Sequence, residues 1–220
     1  IQEIDAHIVY EQIVRLFQDA DIHAVKIGMV SGIPLIESIA RALKSVEPPP
    51  IVLDPVMISK SGYRLLSPDA QAALIEHLFP MAEVVTPNIH EAEALTRRNI
   101  HSISEMKSAA RDILKLGAKK AVIKGGHLGN EKATDILFDG STYRELSSPR
   151  IDTLNTHGTG CTFSSAIAAN IALGKDFYTA VSDAKIYITG AIRHALSIGK
   201  GHGPTHHFFE LYEKAKLYSD

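Results

Sequence analysis

The only cysteine of the chain, Cys161, stands directly behind two glycines in the stretch "NTHGTGCTFSSAIA" at residues 155–168. Glycines at 158 and 160 permit positive φ and leave the backbone unobstructed, so successive amide N–H groups can converge on one anion at the positive end of a helix dipole. This spacing predicts an oxyanion or phosphate site built from Gly158, Thr159, Gly160 and Cys161. The competing reading is a tight strand-to-helix turn whose glycines serve only packing. A thiol at the first turn of a helix can be a nucleophile, a general base or a hydrogen-bonding group, or it can be inert core filler. Cysteine hydrolase chemistry needs a partner histidine, and of the 11 histidines only His157 is near in sequence. The Walker A pattern is absent, so any nucleoside triphosphate must be held by another architecture.

A second set of polar residues lies apart from this turn. "TPNIHEAE" places Asn88 and Glu91 three apart at a helix start, facing one side. An amide and a carboxylate so disposed suit Mg²⁺ held largely through water; an ordinary N-cap with a glutamate answering the dipole explains the same spacing. Asp54 ends the apolar run "PIVLDPV" and precedes a proline, so its carboxylate is tied to backbone amides or aimed at the site. Lys124 closes "AVIKGG" beside two glycines and can meet a phosphate or end a solvated strand. Lys185 lies in a helical region where a solvated face is the default. His202, His206 and His207 of "GHGPTHH" have no cysteine or carboxylate nearby to complete a metal set and are read as structural or surface residues.

Apolar periodicity supplies the elements that must position these groups. Helical spacing in "HIVYEQIVRLFQD" is followed by a buried strand "AVKIGM", a helix "IPLIESIARALKSV" and a strand "PIVLDPV". "SPDAQAALIEHLF" has Ser67 as cap and Pro68 at the first helical position, with Leu74, Ile75, Leu78 and Phe79 facing inward. The strand "EVVTPN", a short helix at "EAEAL", a helix from a Ser102/Glu105 capping box to a Gly117 stop and the strand "KAVIKGGH" come next. "ATDILFDG" and "TYRELSS" form a hairpin about Asp139 and Gly140, and helices follow Gly160, Asp176 and about Pro204. The alternation predicts a single α/β domain over residues 1–220, a mostly parallel twisted sheet with helices on both faces. Ligands of such sheets sit beyond the carboxyl ends of the strands, here Gly28 and Met29, then Asp54, then Thr86 and Asn88, then Lys124.

With 220 residues, 45% of them hydrophobic, the chain has ample material for one core. A net charge of −2 gives no basic footprint for nucleic acid or an anionic membrane, which leaves small molecules as the expected partners. One cysteine excludes an intrachain disulfide, and the chain shows neither a signal peptide nor an apolar run of transmembrane length, so a reducing cytoplasm is expected.

Taken in order, "VKIGM", "LDPVMISKSGYRLLSPDA", "TPNIHEAE", "VIKGGH", "DTLNTHGTGCTFSSAIAA" and "GHGPTHHF" closely resemble the hydroxymethylpyrimidine/phosphomethylpyrimidine kinases of thiamine biosynthesis, of the ribokinase-like superfamily. The resemblance runs from about Val25 to Phe209. It implies a three-layer α/β/α sandwich and transfer of the ATP γ-phosphoryl group to 4-amino-5-hydroxymethyl-2-methylpyrimidine and then to its monophosphate. By the same resemblance, the Gly158–Cys161 turn is the anion hole, and Cys161 stands where sugar kinases place an aspartate base. Lys124 and Lys185 then neutralise ATP phosphates, with Thr86 and Asn88 beside them, and Asn88, Glu91 and Asp54 organise Mg²⁺. Gly28, Met29 and Val56 match the pyrimidine pocket. Kinases of this kind are often dimeric, so a homodimer is expected.

The resemblance begins inside the helix before "VKIGM", and the family's N-terminal strand region, with a "GSDSSGGAG"-like stretch and a substrate-binding glutamate, is not in the sequence. A fragment or a truncated chain is the expectation. Two other functions remain open: pyridoxal or pyridoxine kinase, since vitamin B6 is a similar flat heteroaromatic with a hydroxymethyl arm, and a catalytically silent ligand-binding or scaffold protein.

Overall fold

Alternation within short apolar strands sorts the side chains of this protein onto two faces of one sheet. In β2 (Ile51–Leu53), Ile51 and Leu53 join one core and Val52 the other; in β4 (Lys120–Ile123), Ala121 and Ile123 part from Val122 in the same way. The computed structural model describes residues 3–57, 65–126, 128 and 132–216; Ser59–Gly62 of the second motif and His127 of "VIKGGH" lie outside them.

The sheet has six strands in the order β1 (Val25–Ile27), β2, β3 (Val84–Val85), β4, β5 (Lys132–Phe138), β6 (Tyr143–Pro149). The first four run parallel and the last two form an antiparallel hairpin. Successive parallel neighbours joined by crossovers of one hand place their connecting helices on a single face. That layer holds α2 (Ile33–Ser45), α3 (Pro68–His77), α4 (Ile89–Thr96) and α5 (Ile103–Leu114), with Ile13 and Phe17 of α1 (Ala6–Asp19) against the same core. The opposite face is covered by α6 (Thr159–Ala172) and α7 (Phe177–Arg193), through Phe163, Ile167, Val181 and Ile188. The result is the expected three-layer α/β/α architecture.

Sequence and structure differ at several element ends: β1 and β3 are shorter than the runs expected at 24–29 and 83–88, while Ser102 is the N-cap of α5 as expected. α3 stops at His77, and the fully buried Leu78 and Phe79 belong to the following turn. Ser102 caps α5 by accepting from Glu105 N, while the Glu105 carboxylate accepts from the Ser102 hydroxyl and His101 N. The last helix, α8, covers Phe209–Lys214 instead of starting near Pro204, because Pro204 pairs with His157 in a β-bridge and the chain must turn before it can coil.

Candidate active site

The parallel ladder brings the carboxyl ends of β1 to β4 to one edge, and Asp54 is the first residue beyond β2. Its side chain is buried and needs partners. Oδ1 accepts from Lys124 Nζ at 2.8 Å and from Thr86 Oγ1 at 3.2 Å, and Ser164 Oγ of α6 lies 3.4 Å from Oδ2. The one proton of that hydroxyl has two further acceptors, the carbonyls of Gly160 and Cys161, each at 3.1 Å.

Lys124 follows β4, and its backbone is fixed by a bond from its N–H to Pro87 O and a bridge to Asn88. Burial alone would lower the pKa of its ammonium, but Asp54 and Glu91 outweigh that and hold it above the ordinary lysine value. Glu91 is raised above the usual carboxylate value, chiefly by burial, with Lys124 opposing. Two carboxylates thus surround one cation inside the protein.

α6 meets this cluster with its amino end. Gly158, in the left-handed region at φ 79° and ψ 0°, is the N-cap residue and offers no side-chain cap. Thr162 N bonds to Gly158 O and the Thr159 hydroxyl to Thr156 O, whereas the amides of Gly160 and Cys161 take no acceptor from the described chain. A Cβ at position 160 would sit 3.3 Å from Lys124 Nζ and 3.8 Å from Asp54 Oδ2. The glycine turn and the Asp54–Lys124 pair, 70 residues apart in sequence from each other at their lysine and aspartate, therefore converge on one place.

Cys161 is exposed, which removes the core-filler reading. Asn88 is the N-cap of α4 in a complete capping box: its side chain accepts from Glu91 N, and Glu91 Oε2 accepts from Asn88 N. Its amide oxygen is thus engaged by the helix, as is one carboxylate oxygen of Glu91. Thr86, expected at the nucleotide, has no exposed surface and gives its hydroxyl to Asp54. Lys185 is neither on a solvated face nor in this cluster; its ammonium binds Asp135 Oδ2 at 2.7 Å. Gly28, Met29 and Val56 lie at the same sheet edge, Met29 being 48% exposed and Val56 tied to Asp54 O through its amide. The C-terminal histidines hold loops together: His202 Nδ1 lies 3.1 Å from Leu154 O, and His207 Nε2 lies 3.0 Å from Thr162 Oγ1.

Sequence reasoning missed Ser164 as a partner of Asp54 and overlooked Asp135 altogether. The signal for Asp135 was present, because a carboxylate inside the apolar strand "ATDILF" must be buried and paired. A shallow groove of about 690 Å³ follows the outer side of α6 past Cys161, Ser165, Ala169 and Tyr187, and it reaches neither Asp54 nor Lys124. Among the described residues there is no group of three or more His, Cys, Asp or Glu side chains able to hold a metal, and no helix long and apolar enough to cross a membrane.

Comparison with known proteins agrees with this fold. Residues 1–206 match the family model described as phosphomethylpyrimidine kinase. The hydroxymethylpyrimidine/phosphomethylpyrimidine kinase of Rhizobium meliloti is 49% identical over 216 residues, 97% of this chain and 81% of that protein. Among solved structures, Bacillus subtilis pyridoxal kinase in its ADP complex superposes with a TM-score of 0.87 at 37% identity, over 96% of this chain and 79% of that one. Clostridium difficile phosphomethylpyrimidine kinase superposes with a TM-score of 0.77 at 44% identity, over 87% of this chain and 78% of that one. With the match of sequence and that of structure both spanning most of its length, the chain belongs to the phosphomethylpyrimidine kinase family, a family of phosphotransferases with the ribokinase-like fold.

Proposed function

We propose that this chain carries the ATP-dependent phosphorylation of 4-amino-5-hydroxymethyl-2-methylpyrimidine and of its monophosphate in thiamine biosynthesis. The observation that carries the reading is the meeting of the Gly160 and Cys161 amides, which take no acceptor among the described residues, with the Asp54–Lys124 pair beside Gly160. Phosphoryl transfer asks a protein for alignment and charge neutralisation, and these groups supply both. The substrate hydroxyl forms its bond to the γ-phosphorus while the bond to the β,γ-bridging oxygen breaks and ADP departs. Cys161, exposed at the turn, accepts a hydrogen bond or the proton from the attacking hydroxyl. The amides of Gly160 and Cys161 and the Lys124 ammonium face the charge that spreads over the transferring oxygens.

Two buried carboxylates near one lysine suit Mg²⁺, which takes one or two carboxylates and keeps much of its water. Asp54 and Glu91 would hold it, and when bound it supplies neutralisation of phosphate charge. ATP use is supported by the ADP complex of the pyridoxal kinase relative. A homodimer working in the cytoplasm belongs to the same reading, and sedimentation would show the first.

The test is incubation with ATP, Mg²⁺ and the hydroxymethylpyrimidine, followed by separation of mono- and diphosphate; absence of both products and of ADP rejects it. Vitamin B6 phosphorylation is the second reading, favoured by the TM-score of 0.87 to a pyridoxal kinase. The ratio of kcat/KM for pyridoxal to that for the pyrimidine decides between them.

A further inference from the structure

Asp135 and Lys185 form a second buried ion pair that the proposed chemistry leaves without a task. Asp135 sits in β5 at 3% exposure, and the Lys185 side chain on α7 is 14% exposed. Nζ lies 2.7 Å from Asp135 Oδ2, and the other oxygen, Oδ1, accepts from the Gly125 amide at 2.9 Å. Gly125 immediately follows Lys124. Position 125 admits no side chain, because a Cβ there would lie 1.7 Å from the carbonyl oxygen of Thr134, the neighbour of Asp135 on β5. The next residue is also held, since Gly126 O accepts from Arg150 at 3.1 Å.

Burying a carboxylate with an ammonium costs desolvation that an apolar pair of similar volume avoids. What an apolar pair lacks is an acceptor for the buried Gly125 amide. The carboxylate therefore has a local use that packing alone cannot fill, and the Lys185 ammonium pairs with its other oxygen inside the protein.

We infer that Asp135, held by Lys185, is a positioning residue for phosphoryl transfer: by fixing the Gly125 amide it sets the direction in which Lys124 leaves the sheet toward Asp54 and the amino end of α6. The inference rests on the reading of Lys124 as the cation that neutralises phosphate. It gives Lys185 a part in the site other than direct contact with nucleotide.

Two double variants separate this role from mere stability. Asp135→Asn with Lys185→Met removes both charges and keeps a carbonyl oxygen for Gly125; Asp135→Leu with Lys185→Met removes the acceptor as well. Steady-state kinetics with the pyrimidine and thermal midpoints are measured on the same preparations. The Asn/Met protein is expected to keep kcat within about threefold of the parent, and the Leu/Met protein to lose about a hundredfold in kcat with little change in KM. Equal kcat in the two folded doubles overturns the inference. Should the Leu/Met protein fail to fold, the Asn/Met protein decides: retained kcat supports the amide contact, and a hundredfold loss, as expected if charge alone mattered, overturns it. Lys124→Gln at the parent rate removes the premise instead, whereas an impaired Lys124→Gln beside a fully active Leu/Met double refutes the positioning role alone.

Discussion

The Lys124 ammonium stands 3.3 Å from the point that a Cβ on Gly160 would occupy. The glycine thus lets the backbone of α6 come up to the cation, and the obstacle to a methyl group is the far end of a flexible side chain. Gly160→Ala is therefore expected to fold, with helix propensity favouring alanine by up to about 1 kcal/mol. The displaced ammonium should lower kcat by roughly tenfold to a hundredfold. Thermal melting and steady-state kinetics check both halves, and an unchanged kcat would mean that the closeness of Gly160 and Lys124 has no part in catalysis.

Cys161 offers the opposite separation of stability from rate. Because its side chain is exposed, Cys161→Ala is expected to stay within about 0.5 kcal/mol of the parent in chemical denaturation. Loss of one hydrogen-bonding group at the reacting oxygen should cost roughly tenfold to a thousandfold in phosphoryl transfer. Denaturation curves and initial rates test this together, and parental turnover would remove the thiol from the reaction.

The layers of the fold were legible because β1, β2 and β3 are short, apolar and each followed by a helix with its own start signal, as Ser67 and Pro68 show for α3. The hairpin was equally plain, since Asp139 accepts from both Ser141 N and Thr142 N in the turn that the sequence places there. The site was legible only in part. Gly158 to Cys161, Lys124 and Asp54 announce themselves by type and by position at strand and helix ends. The tasks of Thr86, Ser164, Asp135 and Lys185 did not, because they depend on register between strands and on which face of α6 or α7 meets the sheet. Asn88 shows the limit most clearly: the three-residue spacing to Glu91 fits a capping box as well as an ion, and residue types alone do not reveal the bond from Glu91 N to Asn88 Oδ1.

The Asp54–Lys124 pair has side-chain exposures of 2% and 16%, so removing one partner strands a charge away from water. Lys124→Met is expected to destabilise the protein by about 3–5 kcal/mol, and the double variant with Asp54→Asn by less, since the orphaned charge is then gone. Urea denaturation of the three proteins measures the difference. Equal loss in the single and double variants would show that the pair contributes through packing and not through charge.

Glu91 should reveal itself in the pH dependence of stability. Burial raises its pKa above the ordinary glutamate value of 4.5, so the folded protein takes up this proton more readily than the unfolded chain. The stability that this linkage contributes is full below pH 4.5 and is lost as pH rises through the folded-state pKa. In Glu91→Gln the amide cannot ionise, and its oxygen can still accept from Asn88 N. The stability of the parent relative to Glu91→Gln is therefore expected to fall as pH rises from 4.5 toward neutrality in the absence of divalent cations, and then to level off. Denaturant titrations of both proteins across that range measure the slope. A relative stability that increased with pH would mean that Lys124 stabilises the ionised carboxylate by more than burial opposes it, and that Glu91 stays charged without help from a metal.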